Sequence, residues 1–145
     1  GFGHRESMAD FGRVFREIAD HPQYRWLGPH KGVVHLALGA LTNGNANLER
    51  IGIHHLFDGI VSAAMAGAAK PERPIFDAAV QAGGAPAAQT LHVGDHPLYD
   101  VHGARDAGLR AVWVNRNGDD WPAGYAPPEA EIRHVGELLT ILSQD

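Results

Sequence analysis

The sequence predicts an α/β domain built on a mostly parallel sheet. Three observations lead there. From residue 38 onward, short apolar runs of strand length alternate with helix-like stretches, the pattern of βαβ units. Two of those runs end abruptly in polar residues, Thr42-Asn43-Gly44 and Gly94-Asp95, and parallel sheets bind ligands beyond the carboxyl ends of their strands. The chain has 145 residues, 44% hydrophobic and 20% charged. That is an ordinary single-domain composition, long enough to bury about 68–70% of the unfolded surface.

The elements follow in order. Residues 7–20 place Met8, Phe11, Phe15 and Ile18 on one helical stripe, with Ser7 as a cap and Pro22 as a stop. Residues 22–32 hold two prolines and two glycines and read as a loop. Residues 33–41 are apolar except for His35. Their last part, 38–41, fits a buried parallel strand, and their first part fits either strand or a shortened helix. A short helix is expected over 46–55 and a strand over 59–64. A helix is expected over 74–81, opened by Pro74 and closed by Gly83-Gly84. Residues 90–93 form a third strand, 100–107 a helix ended by Gly108, and 111–115 a fourth strand. Residues 117–129 are rich in Gly, Asp and Pro and form a long loop. Ile132 adds a short edge strand. Residues 134–142 close the chain as a helix, with Val135, Leu138, Leu139 and Leu142 on one side.

Composition excludes several function classes. Net charge is −5 with no basic block, so nucleic acid is not expected as a partner. There is no cysteine, hence no disulfide and no thiolate metal site. No apolar run nears the roughly 20 residues that span a bilayer, and the opening residues lack the apolar core of a signal peptide. A cytoplasmic protein is the expectation. Ten histidines raise the idea of a metal binder, but they lack a tight ligand spacing. His92 alternates with apolar neighbours in a strand and reads as core or partly buried. His96 follows Asp95 and is a minor site candidate.

Three motifs carry chemistry. Thr42-Asn43-Gly44 ends a strand, and a hydroxyl with exposed backbone N–H groups makes an anion-binding corner; Asn-Gly is also a common turn pair. Lys70 is one of two lysines in the chain and is followed by prolines at 71 and 74. A lysine there can act as a point charge on a phosphate or hold a carboxylate ionised; otherwise it is a solvated surface lysine. Gly94-Asp95 with Asp100 sets two carboxylates near a strand end, which suits a hard cation such as Mg²⁺. Alternatively Asp95 turns the chain and Asp100 caps the next helix.

Taken together, Thr-Asn-Gly-Asn, then Lys-Pro-x-x-x-Ile-Phe, then Gly-Asp-x-x-x-x-Asp-x-x-Gly-Ala-x-x-Ala-Gly resembles the haloacid dehalogenase (HAD) superfamily of hydrolases from its second motif onward. The likeness covers residues 38–142, including the strand Ala-Val-Trp-Val-Asn-Arg. It implies a HAD-like Rossmannoid fold, a parallel sheet with flanking helices. It implies that Thr42, with Asn43 and Gly44, binds the transferred group, that Lys70 holds nucleophile and phosphate, and that Asp95 ligates Mg²⁺. Asp100 would support the ion directly or from behind. Dehalogenating members carry a Ser-Asn type fourth motif and need no metal; Gly94-Asp95 resembles the magnesium-dependent phosphatases instead. The expected chemistry is phosphate monoester hydrolysis through an aspartyl phosphate, on a small phosphorylated substrate.

The first motif, an apolar strand ending Asp-x-Asp and carrying the nucleophile, is missing. Upstream of Thr42 only Asp10 and Asp20 occur, and neither ends an apolar strand. In the family that strand lies between those ending at Thr42 and Asp95, and an empty slot would leave backbone groups unpaired. Three readings follow: a piece of a longer enzyme, a slot filled by residues 33–38 or by a strand exchanged in a homodimer, or a relative without activity that binds phosphate or a partner. Residues 1–32 are then a helix and loop left from a cap, and residues 33–145 an incomplete core. The isolated chain is expected to be inactive.

Overall fold

The computed structural model describes residues 39–43 and 54–142, together with 13–14, 16–17, 26–27 and 33–34. Gly44 and residues 46–53 of the helix expected over 46–55 lie outside the described residues, and His54–Leu56 form a 3-10 turn; most of the expected helix over 7–20 also lies outside them. Of that helix, Arg13–Val14 and Arg16–Glu17 are helical.

Among the described residues, seven strands fall into three sheets. β1 (Trp26–Leu27) pairs antiparallel with β2 (Val33–Val34). The loop expected over 22–32 therefore contains a strand, and this pair straddles the expected boundary at residues 32 and 33. β3 (Gly39–Thr42) pairs in parallel with β4 (Gly59–Ser62), with Thr42 opposite Ser62. β5 (Leu91–Gly94), β6 (Arg110–Val114) and β7 (Ala130–Ile132) form a parallel sheet with β6 in the middle. β3 and β5 are not paired with each other. Val33–Val34 pair with β1, so among the described residues no strand joins β3 to β5.

β6 is paired along both edges and covered on both faces, which is why it reads as a continuous apolar run. Its alternation sends Ala111 and Trp113 into one core, with Val61, Ile75, Phe76 and Val101. Val112 and Val114 enter another, with Ile132 and Leu138. Full burial of side chains such as Ile75 and Phe76 stabilises by about 1.5–3 kcal/mol each.

The connections obey local chemistry. The strand expected over 59–64 stops at Ser62, because Ser62 Oγ accepts from Met65 N at 3.2 Å and starts α1 (Ala63–Ala66). Gly67 ends α1 at φ 70°. α2 (Arg73–Gly83) has proline in its first turn and closes on Gly84, at φ 76°, a left-handed position that suits glycine. The helix expected over 100–107 begins earlier. It opens as a π-helical turn, Pro97–His102, and continues as α3 (Gly103–Asp106). His96 explains the early start: its Nδ1 accepts from Leu98 N at 3.2 Å and Tyr99 N at 3.0 Å. A 3-10 turn, Val135–Glu137, precedes α4 (Leu138–Leu142). No described helix is long and apolar enough to cross a membrane.

Candidate active site at the carboxyl ends of the strands

Thr42 is the last residue of β3, and the half-buried Asp95 follows β5 directly. Between them in sequence runs the loop carrying Lys70, joined to the next residue by a cis Lys70–Pro71 bond. Packing places this loop. A side chain on Gly103 would collide with Pro71 and with the Phe76 ring, so the small residue lets α3 press directly on the loop and on α2.

Asn43 ties the Thr42 corner to the lysine loop. Its Oδ1 accepts from Lys70 N at 2.6 Å, and its Nδ2 donates to Lys70 O at 3.1 Å. The side chain thus imitates a paired strand. Both backbone groups of Lys70 are satisfied, and the ammonium is carried toward the end of β5.

There Lys70 Nζ meets Asp100, donating to Oδ1 at 2.6 Å. The same oxygen accepts from His92 Nε2 at 2.9 Å, and the other, Oδ2, accepts from His96 N at 3.0 Å. The Asp100 side chain is 5% exposed and that of Lys70 15%. Burial alone would raise the Asp100 pKa. The hydrogen bond and charge of His92, then the charge and hydrogen bond of Lys70, outweigh it and hold the carboxyl below the usual carboxylate range. Asp100 is therefore an anion at neutral pH. A Cβ on Gly94 would overlap the Asp100 carboxyl carbon, so glycine ends β5 because the carboxylate occupies that space.

Sequence reasoning reads His92 as core or partly buried. It is partly buried and meets Phe76 edge-on, with ring centroids 5.4 Å apart, and it also touches Asp100. The signal was strand alternation. His92 and Gly94 share one face of β5, so whatever presses on Gly94 lies beside His92. His96 is exposed and caps the π-helical turn, with its ring stacked on Tyr99 at 4.1 Å. Its backbone, not its ring, reaches Asp100. Asp119 belongs to a loop turn, where its N–H donates to Asn115 Oδ1 at 3.0 Å.

A magnesium ion takes oxygen ligands and keeps several waters, using one or two protein carboxylates. Asp95 fits one such position. Asp100 is the more crowded carboxylate: Oδ1 already accepts from Lys70 and His92, and Oδ2 accepts from His96 N, which leaves Oδ2 the less occupied oxygen. Among the described residues no group of three or more His, Cys, Asp or Glu side chains is gathered for a metal ion.

Known proteins resemble this chain in sequence and fold. The model of the HAD-hydrolase-like family fits residues 67–138, the stretch that holds Lys70, Asp95 and Asp100. The chain is 38% identical over 96 residues to pyrimidine 5'-nucleotidase YjjG of Escherichia coli, covering 62% of this chain and 43% of that protein. It is 42% identical over 114 residues to a phosphoserine phosphatase of Thermus thermophilus, covering 73% of this chain and 43% of that one. A 2-haloacid dehalogenase from Pseudomonas syringae superposes with a TM-score of 0.71 at 38% identity, over 74% of this chain and 46% of its own. The chain thus spans less than half the length of these relatives. The fold, the family match and these relatives together establish that the chain belongs to the HAD-like hydrolase superfamily, of whose core it contains a part.

Proposed function

We propose that the chain carries the phosphate-binding and charge-positioning part of a phosphate monoester hydrolase site. Thr42, Asn43 and Gly44 offer the anion corner. Lys70, fixed by Asn43 through its backbone and by Asp100 through its ammonium, faces the phosphoryl group and the nucleophile. Asp95 supplies a carboxylate for Mg²⁺, whose contribution when bound is to neutralise charge developing on the transferring phosphoryl group. Asp100 holds Lys70 from behind. The observation that carries this reading is the continuous link Asn43–Lys70–Asp100, which spans the ends of β3 and β5.

Phosphatase rather than dehalogenase chemistry is supported by an acid, Asp95, at the end of β5, and by relatives named as a nucleotidase and a phosphatase. The substrate in this reading is a small phosphorylated metabolite. The nucleophilic carboxylate has to sit between β3 and β5, on a strand pairing with both, and no described residue provides it. The chain alone therefore binds phosphate without turning it over.

Two measurements test this. Inorganic phosphate titrated into the full chain should shift the amide resonances of Thr42, Asn43 and Lys70, and Lys70→Met should abolish the effect. Shifts confined to another surface, or none, would overturn the assignment of the anion corner. An aryl phosphate with Mg²⁺ should not be hydrolysed above background. Turnover abolished by Asp95→Asn would reveal a nucleophile within this chain and reject the predicted inactivity.

A further inference from the structure

We propose that Trp113 is a positioning residue for Asp95. The inference rests on the reading of Asp95 as a site carboxylate. Trp113 lies in β6 opposite Gly94 and is buried. Its indole Nε1 donates to the backbone carbonyl of Asp95 at 2.9 Å. The peptide unit that begins with this carbonyl ends in the N–H of His96, which donates to Asp100 Oδ2 at 3.0 Å. One peptide plane is therefore held at both ends by side chains, its oxygen by Trp113 and its hydrogen by Asp100. It is the first peptide beyond the β5 ladder, where strand pairing no longer sets the backbone, and the Asp95 side chain projects from it.

The packing around the indole restricts its aim. Trp113 meets the Trp121 ring edge-on at 5.1 Å. Gly94, one residue before Asp95, leaves no room for movement toward Asp100. A buried tryptophan needs some acceptor for its N–H. This one takes the backbone of the residue that this reading places on the metal, so it contributes orientation as well as core volume. A site must hold its charged groups close to the productive geometry, and such outer partners supply that constraint.

The test is made on the full chain by nuclear magnetic resonance and needs no turnover, so it stands or falls separately from the phosphatase reading. Trp113→Phe keeps most of the ring and deletes the N–H. The His96 amide should then exchange with solvent about five-fold faster relative to Val112 and Val114, the effect of losing one hydrogen bond. Trp121→Phe, which deletes a different indole N–H, should leave that ratio unchanged. Equal acceleration of His96, Val112 and Val114 would reduce Trp113 to a space-filling residue and overturn the proposal, as would no change at His96. If Trp113→Phe does not fold, the unsubstituted chain decides. A scalar coupling across the hydrogen bond, between Trp113 Nε1 and the Asp95 carbonyl carbon, should be detected, and its absence would overturn the proposal.

Discussion

The strands that meet at the site are anchored to different depths. β6, beside β5, is buried in all but its first residue, whereas in β3 no residue is buried. Asp100 sits inside the β5–β6 half with three donors around it. Asn43, on the β3 half, is exposed and, among the described residues, reaches the rest of the site through the Lys70 backbone. The contrast shows which part of the site this chain can build unaided. The acidic half is supported by a three-stranded sheet and both cores. The anion corner hangs on a two-stranded ladder whose Val61 reaches one of those cores, and Asn43 ties it to the lysine loop.

Substitutions should separate the two halves by size of effect. Asp100→Ala leaves the Lys70 ammonium and His92 facing an empty, largely dry site. It should cost about 3–5 kcal/mol of stability, read from the urea midpoint; a loss under 1 kcal/mol would mean that the acidic half is not the anchored one. Acid should reproduce part of this. The folded-state pKa of Asp100 is depressed, so its contribution is fully present above the ordinary carboxylate value, about 3.9. It is lost as pH falls below that value toward the depressed one. Thermal melts should show a fall in stability below about pH 4 that shrinks in Asp100→Asn.

Gly94→Ala forces a methyl into the Asp100 carboxyl group. We expect a cost of about 1–3 kcal/mol and displaced resonances at Asp100 and His92, measured by denaturation and by spectra of the side chains. Asn43→Ala removes two exposed hydrogen bonds and should cost about 1–2 kcal/mol at most. Its sharper signature is local: amide exchange should rise at Lys70 and not at Val112. A global rise would mean that the β3 half is as deeply anchored as the other.

Much of this was legible in the sequence, for physical reasons. Strands β3 to β6 are apolar runs cut off by polar residues, and the ends of α2 are marked by a proline and a glycine pair. Three features were not legible. The β1–β2 pair joins residues separated by a Gly-Pro-rich stretch, and two-residue strands carry no alternation to read. The start of the 97–106 helical segment was hidden because its cap is the ring of a histidine, not Ser, Thr, Asp or Asn. The His92–Asp100 contact depends on a π-helical turn bringing residue 100 back over residue 94, a geometry that no local propensity encodes. The roles read for Thr42, Lys70 and Asp95 came from motif order. Their spacing along the chain says little, since 27 residues separate Asn43 from the lysine that it holds.

The crowding around Asp100 also bears on divergence. Its carboxylate takes donors from β5, from the loop before α2 and from the backbone of its own turn, and its bulk forbids a side chain at Gly94. Replacing any one of these leaves a buried charge or a collision, so single-step drift at one position is penalised until a neighbour changes as well. Positions 70, 92, 94 and 100 are thereby a linked set, expected to be inherited together, while the exposed Tyr99 beside them is less constrained.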